Sequence, residues 1–366
     1  MVQILRLSGQ PLPLVGRARL YVCGITPYDV THLGHAATFV WADLAAAVLR
    51  AAGIDVVSCR NVTDVDDVLT AAAGARGRDV SEFALYQEYL FDKDMAALRV
   101  ARPAHQPRAR HFVTQVQQLA TALLAAGRAY ERDGHVYFRG TGVADRAGVT
   151  ADQAMALSAE YGDEPEDPLR DHPFDVPVWR PSGQGEPAWP SPWGAGRPGW
   201  HAECAAMTMA VFGAGIDILA GGADLRYPHH AYQAAMAEAA AGVTPFARAR
   251  LHVGEVRRDG AKMAKSTGNL TLVSDLLATH PSAAVRLFLL DRPWRQAWDY
   301  RPAELDAAGA KLDTLYAAAG RPGGTAGADE VAAALMDDLD VPRALAAAID
   351  GGGDAARLLL RVLALT

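Results

Sequence analysis

The side chains best suited to chemistry in this sequence fall into three groups. Cys23, Cys204 and His229 lie far apart along the chain, each where an apolar run meets a turn or a helix start. Two thiolates and an imidazole form a donor set for Zn2+, and three protein ligands leave a fourth tetrahedral position open. Their spacing is unlike that of a zinc finger, and on their own they read equally as two small buried cysteines and a histidine capping a helix. The second group is His32-Leu33-Gly34-His35. At the start of a helix, two imidazoles three residues apart share a face with unpaired N–H groups, and Gly34 allows close approach of a phosphate. The third is Lys262-Met263-Ala264-Lys265-Ser266. Its two lysines can face a polyphosphate and stabilise charge on a leaving pyrophosphate, or simply form a solvated basic loop.

These residues need elements to hold them. Residues 18–23 read as a buried strand, 24–28 as a turn, 33–52 as a helix and 54–59 as a second strand. Strand, helix and strand in that order form a βαβ unit and predict a parallel sheet. Amphipathic helices are expected over 81–100 and 107–127, and a short strand over 135–139. The Pro-, Gly- and Asp-rich stretch 161–198 reads as a long irregular insertion or functional loop. A helix over 201–212, a strand over 215–219, a helix over 229–241 and a strand over 250–254 follow, and then the lysine loop. Beyond residue 273 the chain reads as helical, with a weakly patterned tail over 317–366. All three candidate metal ligands fall at element ends, where open α/β sheets place their sites.

Half of the 366 residues are hydrophobic, enough for a sizeable core, yet no apolar run approaches the ~20 residues that span a bilayer. Residues 1–13 lack the basic and apolar regions of a secretory leader. A soluble cytoplasmic protein with no membrane partner is expected. A net charge of −7 counts against a dedicated nucleic-acid binder. Three cysteines, an odd number and widely spaced, are not a disulfide framework.

Taken together, the HxGH and KMxKS motifs resemble the signature pair of class I aminoacyl-tRNA synthetases. More specifically, residues 21–29 (TyrValCysGlyIleThrProTyrAsp), 61–67 (AsnValThrAspValAspAsp), 196–204 (GlyArgProGlyTrpHisAlaGluCys), 221–225 (GlyGlyAlaAspLeu) and 228–230 (ProHisHis) resemble cysteinyl-tRNA synthetases and the related cysteine:glucosaminyl-inositol ligases of mycothiol biosynthesis. The likeness runs over about residues 15–290. It implies an α/β fold with a Rossmann-like parallel sheet, a connective insertion and a C-terminal helical domain. The implied boundaries are 1–105 and 196–272 for the two halves of the catalytic core, 106–195 for the insertion and 273–366 for the helical domain. It also implies that His32, His35, Lys262 and Lys265 stabilise the transition state, and that Cys23, Cys204 and His229 hold one Zn2+ that binds the substrate thiol. Gly24, Thr26, Gly34, Thr38, Asn61 and Thr63 would contact ATP or cysteinyl-adenylate. Trp200 would line the cysteine pocket, Gly222 and Asp224 would face the ribose or amino group, and Val256 would pack near adenine. A soft ion would separate cysteine from serine where shape alone cannot.

The sequence departs from the resemblance in places. Ala264 stands where the family usually has serine. Gln233 stands where the synthetases have a glutamate ligand, which the ligase branch also lacks. Glu160-Tyr161-Gly162-Asp163-Glu164-Pro165 replaces the ligase motif Glu-Arg-Gly-Gly-Asp-Pro. The segment after Cys23 and the short chain beyond residue 291, with no basic stripe, favour the ligase branch. The expected reaction joins L-cysteine, activated with ATP and Mg2+, to the amine of glucosaminyl-inositol or a similar small amine, with transfer RNA not expected as a partner. The alternatives are a compact cysteinyl-tRNA synthetase, a paralogue that cysteinylates a carrier protein, or a non-enzymatic nucleotide-binding relative.

Overall fold

The computed structural model describes residues 4–28, 30–263, 268–323 and 326–366. At its centre is a four-stranded, all-parallel sheet in the order Ala247–Val253, Ile216–Gly222, Arg17–Ile25, Asp55–Val62. Period-two alternation assigns its faces. Ala18, Leu20 and Val22 pack with the helix Leu33–Ala51, whereas Tyr21 and Cys23 pack with Cys204 and Met207 of the helix Trp200–Phe212 and with Ala234 of the helix His229–Ala241. The chain leaves the central strand Arg17–Ile25 to build first on one side and later on the other. This opens a crevice at the carboxyl ends of the strands, where such sheets bind ligands.

The helix Leu33–Ala51 forms because an Ala-, Leu- and Val-rich run follows a capping residue: His32 accepts a hydrogen bond from the backbone N–H of Gly34. Its residues are buried nearly all round, so it serves as a central pillar between the sheet and the C-terminal helices. It ends at Gly53, whose φ of +83° a side chain would resist.

The stretch 161–198 is not irregular throughout. Val176–Pro181 and Gly196–Pro198 join Ala129–Arg132 and His135–Phe138 in an antiparallel four-stranded sheet with its own core, which includes Val116, Phe138 and Trp179. Its prolines disguise the strands. Pro198 lies on the edge strand and Pro177 beside a register shift opposite Tyr137, positions where a missing N–H is tolerated.

The tail is also better ordered than its pattern. The helices Ala326–Met336, Val341–Gly351 and Gly353–Val362 bury Val331, Leu345 and Leu359 in the same core as the helix Leu33–Ala51. Arg286, fully buried on the helix Ser282–Leu290, locks this junction. It donates to the carbonyls of Leu363 (2.6 Å) and Leu98 (2.9 Å) and pairs with Asp43. No helix among the described residues is long and apolar enough to cross a membrane.

Candidate active site and metal centre

The three dispersed ligands converge. Cys23 lies near the end of the central strand, Cys204 one turn into the helix Trp200–Phe212, and His229 opens the helix His229–Ala241. Their ligand atoms all lie within 4.8 Å of one another, and the residues are 4%, 1% and 2% exposed. With metal–ligand bonds of about 2.0–2.3 Å, tetrahedral ligands stand roughly 3.3–3.8 Å apart, so sharing an ion requires at most about 1.5 Å of closing. A buried pair of thiols beside an imidazole, with no disulfide, is a donor set that fits Zn2+. The Cys23 thiol is pushed well up by burial. Cys204 is drawn well down, chiefly by the Cys23 hydrogen bond and further by His229, so a thiolate forms first at Cys204.

The support around these ligands is aromatic and polar. His201 and His229 approach Nδ1 to Nδ1 at 3.0 Å, which requires one ring to donate and the other to accept. Trp200 stacks on His229 with centroids 4.2 Å apart, and His201 stacks on Tyr232. Gln233 donates to the Thr208 hydroxyl (3.0 Å) and the Cys204 carbonyl (3.4 Å), which turns its own oxygen toward the Cys23 sulfur, 3.6 Å away. Cys59, the remaining cysteine, is buried in the neighbouring strand, and burial raises its thiol pKa.

The other side of the crevice carries the HxGH motif. The rings of His32 and His35 lie 3.8 Å apart at the N-terminus of the helix Leu33–Ala51. Burial lowers His35 to about 4, which leaves a neutral imidazole. Gly34 has no room for a side chain, because a Cβ would stand 2.9 Å from the His32 ring. Thr38 donates to the Gly34 carbonyl. Residues flanking His32 pair with the segment after the lysine loop: Leu33 N–H bonds the Thr271 carbonyl (2.9 Å) and Val273 N–H the Thr31 carbonyl (3.1 Å). The HxGH segment is thereby tied to residues 271–273, just beyond the lysine motif. Across the sheet, Gly24 N–H bonds the Asn61 side chain (2.9 Å), which in turn bonds Thr63 (3.1 Å). Thr26 forms the turn beyond, its carbonyl accepting from Tyr28.

A chain of contacts joins the two sides. Tyr161 stacks on Trp200, and Lys262 lies 5.8 Å from the Tyr161 ring centroid. Lys262 also pairs with Asp224 (3.5 Å) and Glu160 (3.3 Å). Burial pulls the Lys262 pKa down, but these carboxylates outweigh it and the net shift is upward, so the ammonium stays charged. A Cβ on Gly222 would meet Asp224 at 2.4 Å and Thr38 at 3.8 Å, so these three share one corner. Val256 is buried in the main core at the head of the strand Val256–Arg258, which pairs with Ala261–Lys262. Lys265 and Ala264 lie outside the described residues. Sequence reasoning gave no role to His201, Gln233 as an orienting group, or Tyr161. His201 and Tyr161 do stand beside residues it singled out, Trp200 and the altered insertion motif.

A Rossmann-like crevice with paired histidines at a helix start and Lys262 close by along the same chain of contacts fits a class I synthetase catalytic domain. Residues 13–310 match the family described as tRNA synthetases class I (C) catalytic domain, and the chain belongs to that family. It is 44% identical over 353 residues to the L-cysteine:1D-myo-inositol 2-amino-2-deoxy-alpha-D-glucopyranoside ligase of Mycolicibacterium vanbaalenii, covering 93% of this chain and 82% of the relative. The ligases of the same name from Nocardia farcinica and Mycobacterium tuberculosis are 44% and 42% identical, covering 94% and 93% of this chain and 88% and 86% of theirs. Among solved structures, methionyl-tRNA synthetase of Mycobacterium tuberculosis with methionyl-adenylate aligns over 95% of this chain and 88% of its own, with a TM-score of 0.67 at 17% identity. The LeuRS–tRNA–LeuAMS complex of Agrobacterium radiobacter K84 aligns over 100% and 85%, with a TM-score of 0.66 at 11% identity. At those identities the likeness concerns the fold.

Proposed function

We propose that the chain is a cytoplasmic, ATP-dependent, AMP-forming ligase that activates L-cysteine and joins it to the amine of glucosaminyl-inositol. The observation that carries this reading is the buried Cys23–Cys204–His229 cluster beside Trp200, in a chain whose curated relatives are named as ligases of L-cysteine and that amino sugar. The cysteine carboxylate attacks the α-phosphorus of ATP·Mg2+ and pyrophosphate leaves. The neutral amine then attacks the carbonyl of cysteinyl-AMP, an amide forms, AMP leaves, and the amine loses a proton.

Cys23, Cys204 and His229 would hold one Zn2+, which when bound supplies a soft centre that prefers a thiolate to a hydroxyl. His201 and Trp200 fix the His229 ring. Gln233 keeps a neutral oxygen beside Cys23 in place of a carboxylate, so less negative charge opposes a third thiolate. Trp200 and Tyr161 wall the amino-acid pocket. Neutral His35 with His32 donates to phosphate, and Lys262, with Lys265 as the second lysine of its motif, stabilises charge on the departing pyrophosphate. Gly24, Thr26, Gly34, Thr38, Asn61 and Thr63 cradle the adenylate. Gly222 and Asp224 face the ribose or amino group, and Val256 packs near adenine. In this reading residues 1–105 and 196–272 form the catalytic core, 106–195 its insertion and 273–366 the helical domain.

The test is ATP–pyrophosphate exchange with cysteine and with serine, on metal-loaded and chelated protein, followed by product analysis with glucosaminyl-inositol and with transfer RNA. Cysteine-specific, chelator-sensitive exchange with amide formation is expected. Absence of exchange rejects the enzyme, and charging of transfer RNA without amide formation rejects the acceptor.

A further inference from the structure

A cavity of about 210 Å3 lies between the short helix Val143–Ala147 of the insertion, the helix His229–Ala241 and the edge strand Ala247–Val253. Its floor is small: Ala231, Ala234 and Ala235. Its polar lining is basic: Arg146, Arg226, Arg250 and His252. The nearby carboxylate is fully engaged. Glu238 accepts from Phe246 N–H with one oxygen and pairs with Arg146 through the other. Arg226 spends one nitrogen on the Ala147 carbonyl. Arg250 has no hydrogen-bonded or ion-paired partner among the described residues. Burial does most to lower the Arg250 pKa; Glu238 opposes this, and the charges of Arg146 and Arg226 add to it. Burial also leads at His252, with Arg250 and Arg226 adding to it and Asp224 opposing. His252 shares Nε2 with His230 Nδ1 (2.9 Å), which leaves its Nδ1 outside that pair.

The lining carries three guanidinium groups and no carboxylate, and with Glu238 and Asp224 acting from outside it positive charge still exceeds negative around a concave, Ala-floored space. Folding does not by itself favour gathering like charges there, and planar guanidinium forks are the donors that hold oxyanions bidentately. We propose that this cavity binds a small phosphate-class oxyanion, with Arg250 and Arg226 as its main ligands, Arg146 as a rim charge and His252 as an inner donor. The site is distinct from the HxGH and lysine motifs and stands whether or not the ligase reading does. Because its floor is the helix that carries His229 and its inner wall reaches His230, occupancy would brace the helix that presents a metal ligand.

The test is calorimetric titration of inorganic phosphate into the metal-loaded full chain, with the nucleotide site filled by a non-hydrolysable ATP analogue. Saturable binding near one equivalent is expected, weakened at least tenfold in Arg250→Gln and in Arg226→Gln, with melting temperature and zinc content as in the parent. Glycerol phosphate run alongside separates the sources: tighter binding of the ester identifies an esterified ligand, tighter binding of phosphate the free ion. Absence of saturable binding overturns the proposal, as does binding in both variants as tight as in the parent, or binding removed by Lys262→Gln instead.

Discussion

Cys204 concentrates the site's chemistry into one sulfur. Its lowered pKa, set first by the Cys23 hydrogen bond, makes it the earliest thiolate of the pair. Cys204→Ser replaces a soft donor with a hard hydroxyl, so zinc content should fall well below one equivalent. Discrimination between cysteine and serine in exchange should drop by about 100-fold or more. Retention of both would remove the metal from the mechanism. Gln233 offers the opposite change. Gln233→Glu places a carboxylate 3–4 Å from Cys23, at the position of the present 3.6 Å contact. Chelator competition should show tighter metal binding, while KM for cysteine rises because a further negative charge opposes the incoming thiolate. An unchanged KM would mean that the amide acts only as a spacer.

At the level of elements, the crevice depends on how closely two strands approach. A Cβ on Gly24 would lie 1.7 Å from the Asn61 carbonyl oxygen, so Gly24→Ala must force Arg17–Ile25 away from Asp55–Val62 at the register shift. A cost of about 3 kcal/mol or more is expected by denaturant unfolding, with loss of adenylate formation even at temperatures where the chain stays folded. Wild-type activity in this variant would show that the strand ends yield without consequence. The helix Ala151–Glu160 reaches the same crevice, because Glu160 and Tyr161 at its end meet Lys262 and Trp200.

Across the whole molecule, the C-terminal helices and the first half of the sheet share one core, pinned by Arg286. Arg286→Ala strands Asp43 and two carbonyls in the interior. It should cost about 3–5 kcal/mol and expose the C-terminal helices to proteolysis before the catalytic core. A cost under about 1 kcal/mol would mean that packing alone holds the junction. Burial also sets the acid limit. His35 and His252 titrate at about 4 when folded, against about 6.5 unfolded. Below about pH 6.5 the unfolded chain takes up protons that the folded chain refuses. Stability should therefore fall as pH drops from about 6.5 toward 4, by up to ~1.4 kcal/mol per pH unit for each histidine, and level off below that. A flat stability profile across that window would contradict the burial of these rings.

Much of the fold could be read in the sequence because its signals are local. A capped apolar run makes the helix Leu33–Ala51, and a buried strand on either side of it demands a parallel sheet. The HxGH, lysine and cysteine motifs were legible for the same reason, since each is a short string of side chains. The strands within 161–198 were not, because their prolines are tolerated only at an edge or beside a register shift that the neighbouring strands create. The tail was not, because its Ala-rich helices gain their order by burial against a distant core. The meeting of Cys23, Cys204 and His229 was implied by the family resemblance and not by their spacing, while the contact of Tyr161 with Trp200 and the gathering of three arginines at one cavity had no signal in the sequence. Each joins residues from separate elements, and only the packing of those elements sets the distances between them.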